Sequence, residues 1–417
     1  MTSSRLQLLE STAGLVNNRE TAPLRVLALT PTPVTEGCTA ARIFTPLRAL
    51  EASGRVEYIL ACLSPNWIEH PRPVFQLLHD LPQWDIVWVS RPIFCVMLPF
   101  IRAAQQLRKP ILIDFDDWLI DVPIEHSDAA SLRHPALQQT MRMALRSADA
   151  ITVSTPLIAD QCAAIGLTSH LLPNAVDCSQ FVRQPCQDDV VTIAYCGSAS
   201  HAADVPLVAP ALRRLLAAQQ ERVRVVSLGC PIPGLQDLVG YTHYERVSAT
   251  EYARCLSDLH VDIGLAPLLD TPFNRAKSDI KYLEYSVVGA ATIASPVAPY
   301  LASLRPDRGV LASANTVESW TSAIMQLVEQ PQLRQSLAGR AYEWVRRERS
   351  IEATAMAWHT VFNAYVGREK AQGLSGLARM DSGQFRRMMA NVMLREAHFY
   401  GQVIQRDLLQ RMRPTRH

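Results

Sequence analysis

Lys277, Lys281 and Glu284 are spaced by four and three residues within segment 271–295, TPFNRAKSDIKYLEYSVVGAATIAS. The pattern predicts a loop, a helix from about Ser278, Gly289 as its stop, and then a buried strand. Ile280, Leu283 and Val287 form the helix's apolar face, with Lys281 and Glu284 flanking it. Lysines at the positive end of a helix oppose the local dipole. A phosphate or pyrophosphate held by exposed N–H groups and by Lys277 and Lys281 removes that conflict. Glu284, one to two turns in, suits hydrogen bonds from a ribose diol. The competing reading is a solvated Lys–Glu face; the unfavourable lysine placement favours a site.

A second constellation is ILIDFDDWLIDVP, residues 111–123, where a buried strand ends in Asp114, Asp116 and Asp117. Paired carboxylates bind hard divalent ions. Crowded at a strand's C-terminal end, they also raise one another's pKa and suit proton handling or sugar-hydroxyl contacts. Their ordinary use is to cap a helix or close a turn. At Gly197 and Ser198, a strand end lets backbone N–H groups approach a phosphate closely. The eleven histidines form no H-x-x-x-H pattern; His126 and His201 are cleft candidates by position alone. No Gly-x-Ser-x-Gly elbow and no Walker loop is present, against the common hydrolase and NTPase readings.

These groups need a scaffold. Apolar runs RVLALT, VEYILAC, DIVWVS, ILID and AITV alternate with amphipathic stretches in the first half, among them predicted helices over 39–52 (despite Pro46) and 100–107. VTIAY, VRVVSL, DIGLA, ATIA and GVLA repeat the scheme in the second. Strands alternating with helices imply parallel sheets covered on both faces. Two sets separated by residues 174–189 imply two doubly wound α/β domains, in keeping with a length of 417 residues.

Hydrophobic residues make up 48% and charged residues 19%, with 41 Lys and Arg against 39 Asp and Glu, which excludes an acidic or disordered chain. A net charge of +2 argues against a dedicated nucleic-acid binder. Nine scattered cysteines without a C-x-x-C pair suggest reduced thiols in the cytoplasm. Glu10 interrupts any signal-peptide run, and prolines break the longest uncharged stretch, 285–304. Residues 366–417 differ: ten Arg or Lys against four acids give +6, leaving −4 for the rest. After Gly373 and Gly376, the positions Phe385, Met388, Met389, Val392, Phe399 and Val403 make one helical stripe flanked by Arg386, Arg387 and Arg395.

The segment around Glu284 resembles the donor-nucleotide region of GT-B glycosyltransferases of the large retaining, sucrose-synthase-like (family 4) type. These carry a Glu, seven residues and a second Glu leading into a helix. Glu284 matches the second, which in the family holds the donor ribose; Ala276 stands where the first would fall. LLPNAVDCSQF (171–181) resembles the interdomain Pro-Asn-Gly-Val-Asp signature, with Ala175 in place of Gly. IAYCGSASHAADV (193–205) resembles the phosphate-facing loop, with His201 and Asp204 where an Arg and a Lys are usual, so that phosphate charge shifts to Lys277 and Lys281. LALTPTPVTEGCTAARIFTPLRAL and SADAITVSTPLIAD are similar to the acceptor-side opening and to the segment before the interdomain crossing. The resemblance spans residues 24–366.

It implies a GT-B fold of two Rossmann-like domains facing a central cleft, plus a helical tail. The divisions would be an N-terminal extension 1–23, an acceptor-side domain 24–175, a nucleotide-sugar domain 176–350, a crossing helix 351–366 and a basic tail 367–417. Gly37 and Arg42 would face the acceptor, though Arg42 could equally be an ordinary surface arginine. Asp116 or Asp117 would serve at the cleft, Asp114 would be structural, and no metal is assigned. The implied activity is hexosyl transfer from a nucleoside-diphosphate sugar to the hydroxyl of a glycan or lipid-linked acceptor, with retention and without a metal or other cofactor. The rivals are a GT-B epimerase, a non-catalytic docking subunit and a nucleic-acid base glycosyltransferase. The tail is expected to bind a partner surface, either a second copy or the inner face of the membrane, with packing on its own domain as the equally weighted competing reading.

Overall fold

The computed structural model describes residues 22–64, 71–120, 122–124, 129–183, 190–219, 221–367, 377 and 380–411, the last with side chains to 396. Residues 1–21, His126, Gly373, Gly376 and the side chains of Phe399 and Val403 lie outside the described part.

Twelve strands form two parallel six-stranded sheets. The first contains β1 (Leu24–Thr30), β2 (Val56–Cys62), β3 (Ile86–Ser90), β4 (Ile111–Phe115), β5 (Ala150–Val153) and β6 (Ser169–Leu171), in the order β2-β1-β3-β4-β5-β6. The second contains β7 (Val191–Gly197), β8 (Val223–Gly229), β9 (Tyr241–Tyr244), β10 (Ile263–Ala266), β11 (Ala291–Ala294) and β12 (Val310–Leu311), in the order β12-β11-β10-β7-β8-β9. The two doubly wound domains expected from the alternating runs are present. Edge strands β6 and β9 were not predicted: they are short and polar, as edges tend to be, so no apolar run marks them.

Alternation within the strands explains why both faces are covered. Leu27 and Leu29 enter one core of the first sheet, while Val26 and Ala28 enter the core on its other face. Helix Ile351–Tyr365 closes that second face: Trp358 and Phe362 pack on Trp88, with ring centroids 4.8 and 5.3 Å away.

Two helices depart from expectation. The 39–52 helix begins at Gly37 and contains a π stretch, Ala40–Phe44, just before Thr45–Ala52. Pro46 lacks an N–H, and the widened turn falls where an ordinary helical bond to it could not form. The 100–107 helix spans Leu98–Gln106, since Pro99 sits in its first turn, where a missing N–H has no cost.

The tail corrects a larger expectation. Within helix Ser382–Arg411, Met389 and Val392 are buried in the first domain's core, with Phe385 and Met388 packed beside them. The Glu396 carboxylate accepts the Cys95 N–H at 3.0 Å. The described part of the apolar stripe, Phe385 to Val392, is therefore covered by its own chain, and Arg386, Arg387 and Arg395 face outward. No described helix is long and apolar enough to cross a membrane.

Candidate active site

Each sheet order reverses direction once, between β1 and β3 in the first and between β7 and β10 in the second. Crevices at the C-terminal ends of strands beside such reversals are where open α/β sheets bind ligands. The candidate residues at strand ends lie there.

On the first domain, Arg91 follows β3 and adopts φ +45°, a costly backbone for a residue with a side chain. Its guanidinium Nε donates to Asp116 Oδ1 and its Nη2 to Asp117 Oδ2 at 3.0 Å. Asp116 is further fixed by Ser154 Oγ, which donates to its backbone carbonyl at 2.8 Å. Cys38, next to Gly37, is exposed by area but sits among Arg91, Asp116, Asp117 and Lys277. That enclosure pushes its thiol up to about 11; Asp116 and Asp117 add to the shift while Arg91 and Lys277 oppose it. The thiol stays protonated at neutral pH. Arg91 was missed in the sequence because its partners, Asp116 and Asp117, lie 25 and 26 residues away.

Arg42 is not on the acceptor side. It is 2% exposed, with Nε and Nη2 donating to Asp114 at 2.8–3.1 Å and Nη1 donating to the Leu172 carbonyl. Its guanidinium stacks 4.6 Å from the Trp358 ring. Asp114 is wholly buried and also accepts from Thr152 Oγ1 at 2.6 Å, so the pair ties β4, β5 and the interdomain strand end together. Burial raises the Asp114 pKa against the opposing pull of Arg42.

On the second domain, β7 ends at Gly197, where an added side chain would crowd Tyr195 and Lys281. A Cβ there would lie 2.6 Å from the Tyr195 hydroxyl and 3.1 Å from Lys281 Nζ. The Tyr195 hydroxyl is buried without a hydrogen-bond partner. Beyond Gly197, Ser198 Oγ and Ser200 Oγ share a 2.8 Å hydrogen bond. Helix Ile280–Val287 runs alongside; it begins two residues later than expected and ends at Gly289, φ +85°. Lys281 is buried rather than flanking: its Nζ donates to the Cys196 carbonyl at 2.8 Å. Burial lowers its pKa, with Glu284 opposing. Glu284 accepts from Tyr252 Oη at 2.9 Å. Burial pushes its carboxyl up to about 7, against Lys281 and the Tyr252 hydrogen bond.

Lys277 sits at the seam. Ala276, where the family's first glutamate would stand, is 1% exposed in the first domain's core, and its carbonyl accepts from Thr155 Oγ1 at 2.8 Å. Asn174 Nδ2 donates to Ser278 Oγ at 2.9 Å, and Arg349 joins the Asn174 carbonyl to the Asp279 carboxylate. The segment between Ala276 and Asp279 is thus pinned to both domains. Among the described residues, no carboxylate forms an ion pair with Lys277 or Lys281; their bonds go to His201 and to the Cys196 carbonyl. Two lysines without a direct carboxylate ion pair among the described residues, a glycine strand end and the Glu284 carboxyl make an arrangement suited to an anionic, hydroxyl-bearing ligand. The fold brings Gly197, Lys277, Lys281 and Glu284 together on the second-domain side, next to Ser198, and keeps Asp116, Asp117 and Gly37 on the first-domain side.

No protein-family model matches the sequence, and no curated protein matches it. Solved structures do. Anabaena HepE, solved with UDP, is similar with a TM-score of 0.58 at 12% identity, over 82% of this chain and 100% of that one. Sucrose-phosphate synthase from Thermosynechococcus elongatus gives 0.59 at 15% identity, over 82% and 98%. A UDP-forming trehalose-phosphate synthase from Burkholderia xenovorans gives 0.53 at 14%, over 82% and 98%. What the chain shares with them is the fold: two doubly wound parallel sheets meeting at one cleft, the GT-B arrangement.

Proposed function

We propose that the protein is a glycosyltransferase that moves a hexosyl group from a nucleoside-diphosphate sugar to an acceptor hydroxyl, with retention of configuration and without a metal. The observation that carries this is the convergence of Lys277, Lys281, Gly197, Ser198 and Glu284 at the second sheet's reversal, across the seam from Asp116 and Asp117. The similar structures support it: Anabaena HepE was solved with UDP-glucose, and the other two are a sucrose-phosphate synthase and a UDP-forming trehalose-phosphate synthase.

On this reading Glu284 accepts from the ribose diol. Lys277, Lys281 and the backbone N–H groups at Gly197 and Ser198 hold the diphosphate. As the glycosyl bond breaks, negative charge grows on the leaving phosphate oxygen, and these preorganised donors stabilise it. Asp116 and Asp117, aimed by Arg91, orient the hydroxyls of a glycan or lipid-linked acceptor.

Calorimetric titration with UDP, GDP and ADP tests the donor site. Binding of one of them, weakened about tenfold by Lys281→Met, is expected for the loss of one charged hydrogen bond. Unchanged affinity overturns the assignment. Turnover that requires added acceptor separates a transferase from an epimerase, and binding without turnover would mark a docking subunit. With lysines supplying the charge, turnover should survive excess EDTA; complete loss restored by manganese would make the Asp116 and Asp117 pair a metal site.

A further inference from the structure

Lys277 stands on a flexible stem at the junction of the domains, and such a side chain must be ordered before it can hold a phosphate. Its Nζ is 3.4 Å from His201 Nε2. His201 Nδ1 is 2.9 Å from Asp204 Oδ2. Asp204 is buried, and its other oxygen accepts from the Leu269 N–H at 2.8 Å and from Asn274 Nδ2 at 3.2 Å. Hydrogen-bond chemistry fixes the roles. An ionised carboxylate only accepts, so Nδ1 carries the proton; an ammonium only donates, so Nε2 offers its lone pair to Lys277. We infer that His201, oriented by Asp204, is a positioning residue that holds the Lys277 ammonium in the cleft for the donor diphosphate. The inference rests on the donor-site reading above.

The imidazole must be neutral for this, because a charged ring would lose its lone pair and repel the lysine. Burial, together with the nearby Lys281 and Lys277, lowers its pKa to about 3, so it stays neutral across the physiological range. The arrangement also accounts for a departure in the sequence. Where related enzymes are expected to carry cations after the glycine strand end, this chain has an acceptor and a carboxylate. The positive charge comes instead from the next loop, and it needs a fixed seat. Asp204 supplies the rigidity, because Leu269 and Asn274 belong to the segment that leads into Lys277. The Phe273 ring, 5.4 Å from Nζ, gives the ammonium a second contact.

The test is a double-mutant cycle on the full chain, read by titration with inorganic pyrophosphate and with UDP, GDP and ADP. Lys277→Met and His201→Phe should each weaken diphosphate binding about tenfold, the loss of a charged hydrogen bond. In the Lys277→Met background, His201→Phe should then cost nothing more. His201→Gln, whose carbonyl oxygen reaches the place of Nε2, should retain affinity within about threefold. Additive losses, or a His201→Gln as weak as His201→Phe at an unchanged melting temperature, would overturn the positioning role while leaving the donor site standing. If neither pyrophosphate nor any nucleotide binds the unaltered protein, the donor reading falls and takes this inference with it.

Discussion

Glu284 is where burial and ligand chemistry pull in opposite directions. With the pocket unliganded, enclosure raises its carboxyl to about 7, although Lys281 and the Tyr252 hydroxyl favour the charged form. A ribose diol donating to the carboxylate adds a further preference for the anion, so binding should release a proton. Nucleotide affinity should therefore climb with pH between about 5.5 and 7.5 and then level off, since the raised carboxyl titrates across that window. His201, lowered to about 3, is neutral throughout and adds no slope. Calorimetry in two buffers of different ionisation enthalpy measures the released proton, and Glu284→Gln should reduce both the slope and the release to what the nucleotide's own terminal phosphate contributes. Stability runs the other way. The fold binds this proton more tightly than the unfolded chain does, so ionising Glu284 costs stability as pH rises from the ordinary glutamate value through about 7. Unliganded Glu284→Gln should thus melt higher than the parent at pH 8 and no higher at pH 4, a difference that a pH series of thermal melts reads directly.

Among the elements, helix Ile280–Val287 sets the distance between Lys281 and the strand end, and Tyr285 sets the helix. The Tyr285 hydroxyl accepts the Cys196 N–H at 2.9 Å and lies 3.2 Å from the Leu265 carbonyl, joining β7 to β10. Its ring fits only because residue 264 is glycine: a Cβ there would lie 2.2 Å from the ring. Gly264→Ala should cost about 1–3 kcal/mol or more by overpacking, and should also weaken diphosphate binding, because the helix must slide from β10. Tyr285→Phe leaves the Cys196 N–H buried without a partner and should cost about 1–3 kcal/mol. Denaturant melts measure both. Much of this helix was readable from the sequence. The Gly289 stop follows from its left-handed φ, and the bonds Gly289 N–H to Ser286 and Ala290 N–H to Tyr285 complete a Schellman ending. The direction of Lys281 was not readable. Periodicity put it beside the apolar face, but only the approach of β7 from another part of the chain buries it. The same limit hid Arg91, whose meaning depends on two aspartates 25 and 26 residues away.

At the scale of the whole molecule, alternating runs were enough to read two doubly wound domains, because most consecutive strands pair directly and each sheet reverses direction only once. The seam and the tail follow a different logic. Arg42 reaches Asp114 across 72 residues and Leu172 across 130, contacts that no local pattern encodes. The tail's stripe announced an apolar face without saying what covers it, and the cover turns out to be the first domain. A consequence can be tested. Leu377, Met389 and Val392 are buried there at 1%, 8% and 1% exposure. Burying side chains of this size contributes roughly 1.5–3 kcal/mol each. Arg102 adds a contact with the Phe385 ring at 4.5 Å, and Glu396 satisfies the Cys95 N–H just ahead of helix Leu98–Gln106. Ending the chain at Gly373 removes all of these at once. It should lower first-domain stability by on the order of 5 kcal/mol and expose a surface that binds a hydrophobic dye. Diphosphate affinity should largely hold, since among the described residues no hydrogen bond or ion pair joins Lys277, Lys281 or Glu284 to the tail, and the second sheet has its own cores. Met389→Asp in the full chain should reproduce the effect in part, by putting a charge into the same core. A truncated protein that melts with its parent, or a Met389→Asp without effect, would show that the tail only rests on the domain; a drop in melting temperature at unchanged nucleotide binding makes it part of the first domain's scaffold.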